Sequence, residues 1–124
     1  AERTEEEVVS NWTTDGTPKE VRVELGEGLG VEVQKFHENG RIQTRGTLLN
    51  GLRQGVWNTY REDGLPWSRV TYKAGIKEGL FRTWHVDGKP HIEGQHTGGA
   101  PSGKWRFYST EGDLVETQDF GAPK

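Results

Sequence analysis

One ten-residue pattern recurs along this chain at a constant interval. Each copy opens with a glycine, places two aromatic residues three positions apart, and closes with an acidic residue followed by a second glycine. The clearest copies span residues 55–64, 79–88 and 103–112. A fixed period of roughly 20–50 residues predicts a repeat architecture. The closing glycines keep the interval along the chain: Gly16, Gly40, Gly64, Gly88 and Gly112.

A column of aromatic residues keeps the same interval from the first repeat to the last. We therefore expect one repeat domain over residues 1–124, with an atypical first section (1–35), three regular repeats (36–107) and a final half repeat (108–124). The first section is atypical because its glycines fall at 26, 28 and 30 and not at 27 and 31. Irregular terminal units are typical of caps. The column consists of Trp12, Phe36, Tyr60, Trp84 and Tyr108.

Each regular repeat has the pattern of a β-hairpin. Asn39-Gly40, Asp63-Gly64 and Asp87-Gly88 follow a strand-like segment, and such dipeptides predict type I′ turns. The second strand of each hairpin is expected at 43–49, 67–73 and 91–97. The fold class is therefore all-β, an elongated sheet or solenoid of about five consecutive 24-residue hairpins. A second turn is expected at glycines four residues apart: Gly51 and Gly55, Gly75 and Gly79, Gly99 and Gly103.

Two glycines lie inside the predicted second strands, where glycine often marks a bulge or the close approach of another group. We expect an aromatic ring to lie across the bare backbone at Gly46 and at Gly94. Trp57 and Tyr60 are three residues apart and would point to opposite faces of a regular strand. Two alternatives remain open: side chains partly cover both faces of the sheet, or a bulge changes the alternation.

Composition disfavours several functional classes. The chain has no cysteine, which excludes disulfides and thiol nucleophiles. Its net charge is −3 and its one run of like charge is acidic, whereas a nucleic-acid partner requires a clustered positive field. No apolar run approaches the length that spans a bilayer. The chain begins at Ala1 and contains no methionine. Removal of a signal segment and loss of the initiator methionine are both open; we lean slightly toward export to the periplasm, cell surface or medium.

The repeated residues resemble the MORN family, in particular its bacterial variant repeats. The matching frame is Gly-x-Trp/Phe-x-x-Tyr/Trp, then Asn/Asp-Gly, a strand and Gly-x3-Gly. It fits three repeats from Phe36 to Tyr108 and extends over roughly residues 12–120. The resemblance implies an elongated sheet of hairpins in which each hairpin contacts only its neighbours. It also implies a scaffolding, dimerisation, lipid-binding or antitoxin-like role, and it brings no catalytic residues.

Histidines suggest a metal site at one hairpin only. His85 and His91 flank the same turn with Asp87 between them, and two imidazoles with a carboxylate are a possible ligand set. Exposed hairpin histidines are the alternative that we expect, with no metal and no cofactor. The sequence has no nucleophile elbow and no phosphate-binding glycine loop. Its acidic residues occupy turns or vary between repeats, so we expect no enzyme activity.

Arginines form short columns at the repeat interval, one with Arg45 and Arg69 and one with Arg82 and Arg106. In stacked hairpins the members of a column would be neighbours, and an anionic lipid headgroup could bridge them. The alternative is ordinary solvated arginines that stack on aromatic rings. The residues expected to contact a partner are Arg61, Trp67, Tyr72, Arg82, Trp84 and Arg106.

The expected function is a non-catalytic structural or protein-interaction module that can associate with itself through exposed sheet edges. Two alternatives stay open: an antitoxin-like regulator that binds a single protein partner, and a module that binds anionic membrane lipid. The residues expected to form the core and turns of the repeats are Trp12, Gly16, Phe36, Gly40, Trp57, Tyr60, Gly64, Phe81, Gly88, Trp105, Tyr108 and Gly112.

Overall fold

The chain forms one antiparallel sheet of ten strands. A computed structural model describes residues 7–12 and 18–122, and side chains from Lys19 onward. The strands lie in chain order, so each pairs with its sequence neighbours. The described residues contain no helix, and the all-β expectation is confirmed. The strands are β1 (Glu7–Trp12), β2 (Pro18–Glu24), β3 (Val31–Phe36), β4 (Ile42–Leu49), β5 (Leu52–Tyr60), β6 (Pro66–Lys73), β7 (Ile76–Trp84), β8 (Pro90–Thr97), β9 (Ala100–Tyr108) and β10 (Leu114–Asp119).

Strand bounds and pairing register recur at the interval seen in the sequence. Strands β5, β7 and β9 have equal lengths, and their first residues are spaced by one repeat interval. The second strands β4, β6 and β8 each start one residue before the expected position and end where expected. Trp57 pairs with Val70 in one repeat, and Phe81 pairs with Gly94 in the next. The sequence period is therefore also the period of the backbone.

The Asx-Gly turns lie at the expected positions, but their expected type I′ geometry is wrong. A type I′ turn needs a positive φ at both central residues; at the first of these turns Gly40 has one (88°) and Asn39 does not. The N–H of Gly40 donates to His37 O at 2.9 Å, and the N–H of His37 donates to Arg41 O at 2.8 Å. This is a three-residue loop that ends in a left-handed glycine.

The Asx side chain explains why Asn or Asp precedes that glycine. Asn39 Oδ1 accepts a hydrogen bond from the N–H of Arg41 at 3.0 Å. Asp63 makes the same contact with the N–H of Leu65 at 2.9 Å. A short carboxylate or amide that binds the backbone two residues ahead closes the loop locally.

Type I′ turns occur at the opposite ends of the hairpins. The pairs Asn50-Gly51, Ala74-Gly75 and Gly98-Gly99 have positive φ at both residues. The glycine four residues after each turn also has a positive φ, 80° at Gly55. At this point three residues of β5 (55–57) lie opposite a single residue of β4 (Gly46), which makes a bulge in β5. The repeated Gly-x3-Gly spacing therefore specifies a turn followed by a bulge.

The bulge lays a tryptophan across the neighbouring strand. A Cβ added to Gly46 would lie 2.0 Å from the Trp57 ring, and one added to Gly94 would lie 2.2 Å from the Trp105 ring. The expectation that aromatic rings cross both glycines is confirmed. Trp57 Nε1 donates to Thr47 O at 3.0 Å, and the side chain is only 4% exposed. The sheet thus obtains a core by covering its own backbone with rings.

Trp57 and Tyr60 point to opposite faces of the sheet. The irregularity in the pairing between Thr59 and Tyr60 adds a residue to β6 and none to β5, so the side chains of β5 alternate from Trp57 to Tyr60. Tyr60 accordingly lines a depression with Arg45 and Asn58. Of the two alternatives, coverage of both faces is correct. We call the side with Trp57, Phe81 and Trp105 the packed face, and the side with Arg45, Arg69, Arg82 and Arg106 the arginine face.

The first section is irregular, as expected. Strands β2 and β3 pair without a bulge and are joined by a loop with positive φ at Gly26, Gly28 and Gly30. Gly16 lies outside the described residues. Trp12 is described only as the last residue of β1, so its expected core role is untested.

Candidate functional site

Four arginines form a single row across the arginine face. Residues that pair directly across antiparallel strands lie on the same face. Arg69 pairs directly with Arg82, whereas one strand separates Arg45 from Arg69 and one separates Arg82 from Arg106. The expectation of two columns with adjacent members is therefore wrong. The columns merge into one row because consecutive hairpins share one continuous sheet.

The two adjacent arginines of the row turn to different partners. Arg69 Nε donates to Asn58 Oδ1 at 2.9 Å, and its guanidinium lies 5.6 Å from the Trp84 ring centroid. Arg82 Nη2 lies 3.4 Å from Glu93 Oε2, and the Arg82 side chain is 50% exposed. Separate partners relieve the repulsion between like charges that directly face each other.

Carboxylates pair with arginines at one end of the row and within it. Burial alone would raise the pKa of Glu32, but hydrogen bonds from Gln34 and Arg45 together with the Arg45 charge lower that pKa below its ordinary value. Glu93 accepts a hydrogen bond from Tyr108 Oη at 2.9 Å. This bond is the largest of the causes that raise the pKa of Tyr108 above its ordinary value. The row is a network of cations and anions and is not a bare positive strip.

The arginine face offers shallow depressions. One of about 180 Å³ is open to solvent beside Arg82, Glu93, Lys104 and Arg106. Another, of about 410 Å³, lies beside Arg41, Arg45 and Tyr60 and is also open to solvent. Small-molecule sites, in contrast, usually bury most of the ligand surface in a cleft. The arginine face is therefore better suited to contact with the extended surface of a partner than to binding a small molecule.

The six residues predicted to contact a partner do not form one site. Arg82, Trp84 and Arg106 lie on the arginine face. Tyr72 lies on the packed face, where Arg53 Nη1 donates to Tyr72 Oη at 3.2 Å and the Arg53 guanidinium covers the ring at 5.3 Å. Tyr72 is thus engaged within the chain.

Arg61 and Trp67 lie together at the Asx-Gly end of a hairpin. The Arg61 guanidinium lies 4.8 Å from the Trp67 ring centroid, and Arg61 Nη2 donates to Trp84 O at 3.1 Å. Trp67 remains 53% exposed. Of this pair, Trp67 presents the surface available to a partner.

Arg61 has the same structural role as the histidines that precede and follow it at the repeat interval. His37 Nε2 lies 2.8 Å from Tyr60 O, and His85 Nε2 lies 2.8 Å from Tyr108 O. Each of the three side chains therefore bonds to the main-chain carbonyl of an aromatic residue in the next repeat. The substitution of arginine in this column preserves a link between repeats.

His85 and His91 approach each other but do not converge on a common ion. Their rings stack with centroids 4.2 Å apart and an interplanar angle of 28°. Burial and then the charge of His85 lower the pKa of His91. Across residues 7–12 and 18–122, no group of three or more His, Cys, Asp or Glu side chains is placed to hold a metal ion.

His96 is a core residue that sequence reasoning missed. It is 7% exposed and meets the rings of Phe81 and Trp105 edge-on at 5.3 and 5.2 Å. Burial and then the Lys77 charge lower its pKa. Its position two residues after Gly94 in the same strand was the available signal, because such residues share a face.

The sheet has an open edge at its last strand. Among the described strands, β10 pairs only with β9, and all six of its residues are exposed. The N–H of Phe120 donates to Gly103 O at 2.9 Å. Backbone alternation then directs the N–H groups of Thr117 and Asp119 away from β9. At the other end, β1 pairs only with β2 within the described part of the chain.

Comparisons with known proteins leave the family open. No family model, curated protein or solved structure gives a significant match to this chain. The MORN resemblance therefore rests on the repeated residues alone. The described residues include no helix that is long and apolar enough to cross a membrane.

Proposed function

We propose that this chain is a non-catalytic protein-interaction module that associates with itself through the exposed edges of its sheet. The observation that carries the proposal is the outer edge of β10, which pairs with no other described strand. An edge strand with free N–H and C=O groups is a template for another strand. The resemblance to MORN repeats adds a scaffold-like or structural role to the proposal.

The side chains of β10 support an interaction at this edge. Leu114 is 52% exposed and Val115 is 65% exposed. Phe120 follows the strand, is 46% exposed, and packs one side of its ring against Trp105 at 5.8 Å. A strand added to β10 would cover apolar surface as well as satisfy backbone groups.

Sedimentation equilibrium over a wide concentration range tests the proposal. The wild-type mass should rise with concentration, and Thr117→Pro should reduce association because it removes an outward N–H without removing a bond to β9. Thr117→Val is the matched control, since it keeps the N–H and a β-branched side chain. Circular dichroism checks that both variants fold. A strict monomer at the highest concentration would refute self-association, and one stoichiometric co-purifying protein would then favour the antitoxin-like alternative.

A second candidate function is binding to an anionic membrane surface through the arginine face. The row of four arginines on one side of a chain of net charge −3 favours it. Basic residues near an anionic leaflet each contribute about 1 kcal/mol. The row places its charges on one face of the sheet, where a headgroup layer can meet them together.

Vesicle flotation tests this second candidate. The chain should float with phosphatidylcholine vesicles that contain phosphatidylglycerol, should not float with phosphatidylcholine alone, and should be released by salt. Arg106→Glu should weaken partitioning by about 2 kcal/mol, because it reverses one charge. Lys35→Glu makes the same reversal on the packed side of the sheet and should have little effect. Equal losses in the two variants would count against the arginine face.

A further inference from the structure

The two end strands of the sheet are of complementary kinds. β10 begins one repeat interval after β8 and occupies the place of a second hairpin strand. β1 begins one repeat interval before β3 and occupies the place of a first strand. In the interior of the sheet, each second strand pairs with the first strand of the following repeat. The free edge of β10 thus has the form that normally receives a strand of the β1 type.

Where a second strand pairs with the first strand of the next repeat, the sizes of the facing residues are complementary. At two of these junctions a glycine lies under a tryptophan: Gly46 under Trp57 and Gly94 under Trp105. No side chain could be accommodated there, since a Cβ would lie 2.0 or 2.2 Å from ring atoms. At the equivalent place between β6 and β7, Val70 pairs with the smaller ring of Phe81. The larger the residue on the second strand, the smaller its partner on the next strand.

The junction between β2 and β3 extends this rule to a long side chain. Arg22 occupies the position of the glycines, and it pairs with Val33. Val33 is only 2% exposed, so valine opposite a long polar residue makes a well-covered contact. This junction also pairs without a bulge.

The sequence at the two ends repeats this last combination. On β10, Gln118 occupies the position of Arg22, four repeat intervals further along. On β1, Val8 pairs with Arg22 as Val33 pairs with Gly46, so Val8 occupies the position of Val33, one residue earlier than the repeat interval gives. A tryptophan could not lie over Gln118 as it lies over Gly94, but a valine can pair with it as Val33 pairs with Arg22.

We propose that β1 of a second copy of this chain pairs antiparallel with β10, head to tail, in the register of β2 and β3. This places Gln118 opposite Val8 and Thr117 opposite Val9. It rests on the proposed function and names the partner and register for the same edge. The contact joins different surfaces of the two copies, so it does not close and it generates open chains.

Charge gives the interface a distinctive response to salt. Asp119 at the end of β10 and Glu7 at the start of β1 lie near the same end of the proposed pairing. The two negative charges repel each other. Added salt screens this repulsion, so association should strengthen as ionic strength rises. Binding that depended on the arginine face would weaken instead.

Engineered cysteines test the register, because the chain has none of its own. Side chains directly opposite across an antiparallel pair come within about 4.5–5.5 Å at Cβ, close to disulfide geometry. A mixture of Thr117→Cys and Val9→Cys proteins should give a mixed disulfide dimer under mild oxidation. The double variant should give a ladder in multiples of 14.0 kDa. Gln118→Cys mixed with Val9→Cys is the control, since these positions face opposite sides, and it should cross-link several-fold less.

The possible outcomes distinguish a wrong pairing register from a failure of the proposed self-association. Predominant Thr117→Cys homodimers would indicate β10-to-β10 pairing and overturn the head-to-tail arrangement while leaving self-association intact. Mass that rises and then stops at a dimer would do the same without relying on any variant. A strict monomer at all concentrations and salt levels would overturn both.

Discussion

At the scale of single residues, the packed face depends on matched sizes at neighbouring positions. Gly46 is not needed for a positive φ, because its backbone is in an ordinary strand conformation. It is needed because the Trp57 ring occupies the space of its side chain. Glycine is normally unfavourable in a strand, and here the buried ring offsets that cost.

Gly46→Ala should therefore destabilise the fold even though alanine suits the backbone. The added methyl must displace a buried tryptophan, and overpacking of this kind costs about 1–3 kcal/mol. Urea unfolding followed by tryptophan fluorescence measures the change. The double variant Gly46→Val with Trp57→Phe recreates the existing Val70–Phe81 pair and should recover much of the loss. Additive losses in the double variant would contradict size matching.

Stability should also fall on mild acidification. The pKa values of His91 and His96 are lowered in the folded chain, so the unfolded chain binds more protons once the pH drops below about 6.5. The stability present above that pH is then lost as the pH falls through the folded pKa values.

His91→Gln tests one part of this pH dependence. Glutamine is the residue at the equivalent position 43, and it removes the titrating group stacked on His85. Thermal unfolding at neutral pH and at about pH 5 should show a smaller loss of stability in the variant than in the wild type. The same loss in both proteins would show that the histidine stack is not responsible.

At the scale of elements, each hairpin is fixed at its two ends by different chemistry. A two-residue turn with positive φ at both positions lies at one end, and a three-residue loop closed by an Asx side chain lies at the other. Adjacent loops are joined by side chains that reach a main-chain carbonyl in the next repeat. These links bind successive hairpins beyond the strand ladder itself.

Arg61 provides a test of the links between loops. Arg61→Ala removes the bond to Trp84 O and should cost about 1–2 kcal/mol. Arg61→His should retain most of the stability, because His37 and His85 make the same link elsewhere. Urea midpoints compare the three proteins. Equal destabilisation by alanine and histidine would mean that stacking on Trp67, and not the carbonyl bond, is what matters.

At the scale of the whole molecule, the described strands form hydrogen-bonded pairs only with their sequence neighbours. Stability in such an arrangement is close to a sum over neighbouring units. Removal of residues 64–87 deletes one complete repeat and joins Asp63 to Gly88, which preserves the Asx-Gly loop. The shortened chain should remain folded with lower stability.

A deletion of half that length is the matched control. Removal of residues 64–75 takes out one strand and reverses the direction of every later strand, so it should unfold or aggregate the chain. Circular dichroism and the urea midpoint separate the two results. A folded half-repeat deletion together with an unfolded full-repeat deletion would contradict a modular sheet.

The sequence alone determined the period, the all-β class and the glycines that tryptophans cross, because these depend on residue spacing and side-chain size. It did not determine the turn type at Asn39-Gly40, since the same dipeptide serves two-residue and three-residue loops and the strand register decides between them. Only the tertiary structure showed that Trp57 and Tyr60 lie on opposite faces, because that depends on where the bulge falls. Only it merged the arginine columns into one row, since neighbours across a sheet are set by pairing between strands and not by the repeat interval.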